Sequence, residues 1–290
     1  MNNQSKDLPN LLIPGYHKAG TTTLFTELSK HPDIFPSVVK EPFYFRPYIN
    51  GKELARIEDY KRNFTAAKDE IYRMEGSPTY IYGGARAAQI IHDTLGDVKI
   101  VISIRNPVNQ LFSLYKHKLR FVEIDENESF LTFAKNRDDF YRQYYDVHLQ
   151  DWFHVFGDNI KCIFFESLIQ DPVAVLADVV DWLGLPSLKM DDQVLLNTNP
   201  GGTYKHKLTH QMALSIFHRI KSYLPHSMFL TLRNIYYSLN GKKVTHTLSD
   251  EAKSYLESQF SAHNQALFQL LNNRGYRNLP EWITRSNEAQ

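Results

Sequence analysis

Three groups of residues in this chain could hold an anion and do chemistry on it. The first is Leu11–Leu24, LLIPGYHKAGTTTL, in which three apolar residues run into Pro14-Gly15, Ala19-Gly20 and a triple threonine before a helical pattern begins. A strand, a glycine-containing loop and a helix start bind phosphate for a physical reason: first-turn N–H groups lack intrahelical partners, and the macrodipole adds partial positive charge. Gly15 and Gly20 allow close backbone approach, Lys18 supplies a mobile cation, and Thr21, Thr22 and Thr23 supply hydroxyl donors. Lys18 precedes Gly20 and the threonines follow directly, so the spacing is not the Gly-Lys-Ser/Thr of a nucleotide triphosphatase.

The second group is Val98–Ile104, VKIVISI, followed by Arg105-Asn106-Pro107. A run this rich in β-branched residues suits an interior strand of a parallel sheet, and the proline opens a helix. Val108, Leu111, Phe112, Tyr115 and Leu119 recur at spacings of three and four, which leaves Ser113, Lys116 and Arg120 on other faces. The third group is KEPFYF, Lys40–Phe45, an acid–base pair beside proline and three aromatics.

The elements that must position these groups alternate. Strands are expected at Leu11–Ile13, around Ile71, Tyr72 and Met74, at Val98–Ile104 and at Ile160–Phe165. Helices are expected at Thr22–Leu28, in part of Lys52–Asp69 with Tyr60 and Phe64 buried, at Ala85–Leu95, from Pro107, at Tyr141–Phe156, and from Asp171-Pro172 to Leu183. Glu123–Asp139 reads as a loop with a short helix, and the C-terminal part as mostly helical, with Thr247 and Asp250 as a capping box. Alternating strands and helices imply βαβ units. The expected fold class is α/β, P-loop-like and three-layered, with a central, mainly parallel sheet of about five strands and helices on both faces. We expect a single domain over residues 1–290 with the first ten residues flexible.

Composition narrows the partners. Thirty-three Lys and Arg against 32 Asp and Glu give a net charge of +1, so no global field favours nucleic acid or an acidic membrane. A lone cysteine, Cys162 in IKCIFF, excludes a disulfide framework and any multi-cysteine metal cluster, and reads as a small buried hydrophobe. There is no 18-residue apolar run and no hydrophobic signal core in Met1–Asn10, so a cytoplasmic location without a membrane span is expected. His206 and His210 stand at i and i+4, but no carboxylate or cysteine completes a zinc set; a solvated helix face is the expectation, with no metal.

Taken together, the chain resembles the sulfotransferases that use 3′-phosphoadenylyl sulfate (PAPS). PGYHKAGTTTL is similar to their 5′-phosphosulfate loop, and IVISIRNPVNQLFSLY to their 3′-phosphate segment, with a serine eight residues after the arginine. EGSPTY at Glu75–Tyr80, FFESLIQDP at Phe164–Pro172 with WLGL at Trp182–Leu185, and the Asn264–Leu271 segment resemble landmarks of bacterial and carbohydrate-type members. HPDIFPSVVKEPFYF resembles the stretch after that loop in the glycosaminoglycan branch.

The resemblance implies roles. His17, Lys18, Ala19, Gly20, Thr21, Thr22 and Thr23 would hold the 5′-phosphosulfate, with Lys18 stabilising charge on the bridging oxygen; Arg105 and Ser113 would hold the 3′-phosphate. Glu41 is the candidate general base, with Lys40 beside it. Gly202, Thr203, Tyr204 and Lys205, in NPGGTYKHKL, are expected near the 3′-phosphate or the adenine. Small-molecule members use a histidine base, which keeps His92 and His117 as lesser candidates. Gln110 stands where the family commonly has arginine, and the cysteine pair of the glycosaminoglycan enzymes is missing.

The implied reaction moves a sulfuryl group from PAPS to a hydroxyl or amine of a carbohydrate or small molecule, with 3′,5′-bisphosphoadenosine as product. The acceptor site is expected from Phe43–Tyr48, Glu75–Tyr82 and Glu123–Tyr145; the oligomeric state is open. The alternatives are a nucleotide-dependent kinase, disfavoured by the loop spacing, and a degenerate protein that binds the nucleotide without turnover.

Overall fold

The structure is a computed structural model that describes residues 7–137, 140–187, 202–204, 207–220, 226–243 and 246–288. In chain order the elements are β1 (Leu11–Gly15), α1 (Thr21–Leu28), β2 (Ile34–Pro36), α2 (Arg46–Ile49), α3 (Ile57–Lys61), β3 (Tyr72–Glu75), α4 (Gly84–Leu95), β4 (Lys99–Ile104) and α5 (Pro107–Arg120). They continue with α6 (Phe130–Lys135), α7 (Tyr145–Phe156), β5 (Ile160–Phe164), α8 (Phe165–Gln170), α9 (Pro172–Trp182) and β6 (Gly202–Tyr204). The chain then runs through α10 (Lys207–Ile220), α11 (His226–Asn240), β7 (Gly241–Lys243), α12 (Asp250–Asn273) and α13 (Glu281–Glu288). Among the described residues, no helix is long and apolar enough to cross a membrane.

Tertiary contacts divide the chain into two compact units. The first comprises Met1–Pro107, Phe140–Asn197 and Phe260–Gln290; the second comprises Val108–Asp139 and Thr198–Gln259.

The first unit carries a five-stranded sheet in the order β2-β3-β1-β4-β5 with every pair parallel. This is the expected central sheet, with helices on both faces as expected. Side chains alternate across a strand, so Leu12, Ile100, Ile102 and Ile104 face one core with Ile91 of α4 and Leu149 and Trp152 of α7. Leu11, Ile13, Val101 and Ile163 face the other, with Leu24 and Phe25 of α1 and Leu176 and Val179 of α9. Both faces are covered, which is why these strands read as unbroken apolar runs. Chain order turns left from β1 to β2 and β3, then right from β4 to β5. The carboxyl ends of β1 and β4 therefore flank the switch point at which open α/β sheets bind ligands. Leu8 and Asn10 are tied to the sheet: the Leu8 carbonyl accepts from the Arg73 Nε at 2.7 Å, and the Asn10 Oδ1 from the Arg73 amide at 2.7 Å.

The second unit holds α6, α10, α11 and a two-stranded antiparallel ribbon, β6-β7. The expected capping box shifts by two residues. α12 starts at Asp250, so the cap is Ser249, whose Oγ accepts from the Ala252 amide at 3.3 Å, and not Thr247. Within the first unit, Tyr141–Phe156 is not one helix: a single tight turn spans Phe140–Gln143, and α7 begins at Tyr145.

Candidate active site

The loop after β1 is held open at a helix start. Gly20 precedes α1 at φ 83°, a left-handed conformation that suits glycine, and no side chain caps the first turn of α1. A Cβ at Gly20 would stand 2.7 Å from a ring carbon of Phe165, so the loop lies directly on the start of α8. His17, Lys18 and Gly20 are half-buried and Thr22 is exposed, whereas Ala19, Thr21 and Thr23 are buried.

β4 fastens this loop at three points. The Ser103 carbonyl accepts from the Tyr16 amide at 2.9 Å, the Ser103 hydroxyl donates to the Ala19 carbonyl, and Arg105 Nη1 donates to the Lys18 carbonyl at 2.9 Å. Ser103 breaks the apolar pattern of VKIVISI for this reason, and the two residues reach the same loop because Ser103 lies near the end of β4 and Arg105 directly follows that strand. The Arg105 guanidinium also lies over the Phe165 ring, 4.3 Å from its centroid. Burial pulls the Arg105 guanidinium below its ordinary value, opposed by the charge of Glu166. Glu166 in turn accepts from the Asn106 amide at 2.8 Å, which fixes the turn that follows Arg105.

Glu41 faces this corner through Lys40. The Lys40 ammonium is 2.7 Å from Glu41 Oε1 and 3.2 Å from the Thr22 hydroxyl. The KEPFYF loop can hold that arrangement because its aromatics are anchors: Tyr44 and Phe45 are buried, and Tyr44 stacks on Tyr60 at 4.3 Å. The loop's backbone is pinned from the exit of β3. The Gly76 amide donates to the Lys40 carbonyl, the Phe43 amide to the Ser77 hydroxyl, and the Phe45 amide to the Tyr80 hydroxyl.

Beneath these contacts lies Glu75, fully buried at the end of β3. One oxygen accepts from the Tyr60 hydroxyl at 2.7 Å, and the other has no hydrogen-bond partner among the described residues. Burial pushes this carboxyl up to about 7, against the smaller pull of Tyr60, Ser77 and Tyr80. EGSPTY is therefore a support for the Glu41 loop. Nothing local in the sequence signals that support, because the backbone it holds, at Lys40, Phe43 and Phe45, is distant along the chain.

A second buried group lies behind the loop. Tyr16 packs at 4.5 Å from Tyr145, and His148 is ringed by Tyr16, Tyr82 and Tyr141 at 4.4–6.0 Å between centroids. Among the described residues neither ring nitrogen of His148 has a hydrogen-bond partner, and burial lowers its pKa to about 4.

The other expected site residues lie in the second unit or outside the described residues. Ser113 is half-buried on α5, and Gly202, Thr203 and Tyr204 form β6, all in the second unit. The Tyr204 ring is buried and stacked on His210 at 4.7 Å. Lys205 and His206 lie outside the described residues. His210 is not on a solvated face: it is buried, with its nitrogens on the Tyr236 hydroxyl and the Arg120 carbonyl. Gln110 is buried on α5. His92 pairs with Asp97 in the last turn of α4, which leads into the amino end of β4, the edge opposite the loop. His117 sits against Phe121 in the second unit. Among the described residues, no group of three or more His, Cys, Asp or Glu could hold a metal ion.

Comparisons with known proteins converge on one family. A sequence profile of the sulfotransferase family matches residues 52–192. Human heparan sulfate glucosamine 3-O-sulfotransferase 3B1 is 32% identical over 211 residues, covering 68% of this chain and 51% of the relative. The bifunctional heparan sulfate N-deacetylase/N-sulfotransferase of Drosophila melanogaster is 23% identical over 305 residues, covering 95% of this chain and 27% of the relative. The chain spans about half the length of the first of these relatives. The crystal structure of a sulfotransferase from Alicyclobacillus acidocaldarius matches with a TM-score of 0.65 over 94% of this chain and 98% of that one; at 23% identity this likeness concerns the fold alone. With the profile running from before β3 to beyond α9 and a relative 32% identical over 68% of this chain, the chain belongs to the sulfotransferase family.

Proposed function

We propose that the chain transfers the sulfuryl group of PAPS to a hydroxyl of a carbohydrate acceptor and releases 3′,5′-bisphosphoadenosine. The observation that carries this reading is the Lys40 ammonium, 2.7 Å from the Glu41 carboxylate and 3.2 Å from the Thr22 hydroxyl. One cation joins a candidate base to the helix start that would hold the leaving group.

The residues fit an anionic donor. The first turn of α1 has no side-chain cap, and Lys18 lies in the same loop. The donor, when bound, supplies an activated sulfur. Lys18 and the α1 amides would stabilise the negative charge that gathers on the leaving side as the S–O bond breaks. Glu41 would take the proton from the attacking hydroxyl, and Lys40 would hold that carboxylate in place. Arg105, with its planar fork of donors, suits the 3′-phosphate.

For the acceptor, a concavity of about 270 Å³ lies beside the Glu41 loop, lined by Phe43, Arg46, Pro47, Asn50 and Lys52. Arg46 stands 5.2 Å from the Phe43 ring centroid, an aromatic platform beside cations that suits a sugar carrying acidic groups. The names of the heparan sulfate relatives support the same acceptor class.

The test is transfer of radiolabelled sulfate from PAPS to a panel of oligosaccharides, phenols and amines. We expect transfer to an oligosaccharide. Glu41→Gln should cut the rate about 10²- to 10⁴-fold while the affinity for 3′,5′-bisphosphoadenosine stays within about twofold. Full activity in that variant would remove Glu41 from the role. Nucleotide binding without transfer to any acceptor would leave a binding protein.

A further inference from the structure

The backbone around Glu41 is held from one short segment at the exit of β3. The Gly76 amide donates to the Lys40 carbonyl at 3.1 Å, and the Phe43 and Phe45 amides donate at 3.3 Å each to the hydroxyls of Ser77 and Tyr80. A hydroxyl that accepts with its oxygen still has a proton to place, and the direction of that proton fixes where its lone pairs point. The Ser77 and Tyr80 hydroxyls both face the Glu75 carboxyl. So does Tyr60, whose hydroxyl donates to Oε2 at 2.7 Å and whose ring stacks on Tyr44 of the same loop. Three hydroxyls thus converge on one carboxyl, and each also touches the Glu41 loop, two through its amides and one through a ring.

Packing alone does not account for a carboxyl in this place. Glu75 is fully buried and its Oε1 has no hydrogen-bond partner among the described residues, an arrangement that costs stability where an apolar side chain would fill the same space. Among the described residues the polar groups that face it are the three hydroxyls, with no cation, so burial favours the neutral acid and pushes the carboxyl up to about 7. An ionised carboxylate in the same pocket would draw hydroxyl protons and water toward Oε1, away from the orientation that serves the Phe43 and Phe45 amides.

We propose that Glu75 is a positioning residue for sulfuryl transfer, acting through the Ser77 and Tyr80 hydroxyls, and that its proton sets how firmly the loop holds Glu41 toward the acceptor. This rests on the reading of Glu41 as the general base. The neutral acid keeps both hydroxyls turned to accept from the loop. Loss of the proton slackens the loop, so transfer slows as pH rises, while nucleotide affinity, assigned to the loops after β1 and β4, stays the same.

The test has two arms on the full chain. Amide hydrogen exchange at Phe43 and Phe45, followed by NMR, needs no acceptor; Glu75→Leu should speed it about tenfold or more, and Glu75→Gln should stay near the parent. Transfer of labelled sulfate from PAPS at saturating donor is then followed from about pH 6 to about pH 8.5. The parent kcat should fall about fivefold or more over that range, and Glu75→Gln should not show the fall. Glu75→Leu should be about 10- to 100-fold slower at every pH, a loss that Glu75→Gln largely recovers. Affinity for 3′,5′-bisphosphoadenosine should stay within about twofold in both variants, as expected of a residue that acts on the loop alone. The proposal is overturned if kcat of Glu75→Gln falls with pH as the parent does, if Glu75→Leu keeps the parent kcat, or if neither amide exchanges faster in Glu75→Leu. Where Glu75→Leu does not fold, the comparison of the parent with Glu75→Gln decides. Full activity in Glu41→Gln together with fast exchange in Glu75→Leu would mark a failure of the base reading, not of the brace.

Discussion

The Arg105 guanidinium donates to the Lys18 carbonyl oxygen over 2.9 Å, so the two cations that the family resemblance assigns to opposite ends of one nucleotide are linked through the loop backbone. Removing Arg105 should therefore do two things. On the proposed reading it deletes a bidentate phosphate donor, and it frees the backbone that sets where Lys18 stands. We expect Arg105→Ala to weaken binding of 3′,5′-bisphosphoadenosine by about 1.5–3 kcal/mol in isothermal titration calorimetry. Arg105→Lys should recover only part of that loss, because a point charge cannot serve a carbonyl and a phosphate with one planar fork. An unchanged affinity in the alanine variant would take Arg105 out of the nucleotide site.

Gly20 is constrained twice over. Its φ of 83° costs any residue with a Cβ about 1–2 kcal/mol, and the Cβ itself would meet Phe165 at 2.7 Å. Overpacking a rigid aromatic contact adds about 1–3 kcal/mol. Gly20→Ala should thus lower unfolding free energy by about 2–5 kcal/mol in urea titration, with loss of nucleotide affinity as the loop shifts. A melting curve equal to that of the parent would mean that Phe165 yields freely and that the glycine is not required.

These two positions show how far the sequence can be read. The corner itself was legible: a strand, loop and helix start at Leu11–Leu24 and a strand ending in Arg105 are local patterns, and adjacent parallel strands bring them together. What lay beyond reach is whatever depends on packing between distant segments. Ser103 reads as an interruption in VKIVISI, yet its hydroxyl closes on Ala19, a residue 84 positions away. Glu166 and His148 look like ordinary polar positions until the fold places one under the Asn106 amide and the other among tyrosines. Tyr204 is a further case, because a turn-rich sequence beside lysines carries no sign that stacking on His210 buries the ring.

Lys40 offers a test of positioning as distinct from proton transfer. Its ammonium holds both Glu41 and Thr22, but the pair is partly exposed, so its contribution to folding should be under about 1 kcal/mol. Lys40→Met should leave the melting temperature nearly unchanged and lower kcat about 10- to 100-fold at saturating donor, through loss of orientation of the carboxylate. If kcat holds while KM for the donor rises, Lys40 binds the nucleotide instead of aligning the base.

Glu75 makes stability depend on pH near neutrality. Its carboxyl ordinarily titrates near 4.5, and in the fold burial pushes it up to about 7, with Tyr60, Ser77 and Tyr80 as the polar groups that face it. The native state thus holds a proton that the unfolded chain releases. The stability this group contributes is full below about 4.5, declines as pH rises through about 7, and is flat above. Over that window the decline is roughly 3 kcal/mol, at about 1.4 kcal/mol for each pH unit of difference. Glu75→Gln keeps an acceptor for the Tyr60 hydroxyl but cannot titrate. We therefore expect the difference in unfolding free energy, parent minus variant, to fall between pH 4.5 and about 7 in urea titrations and to level off beyond. A difference that does not vary with pH would mean that Glu75 is already ionised in the fold. The Ser77 and Tyr80 hydroxyls that hold the Glu41 loop would then rest on a buried charge, not on a neutral acid.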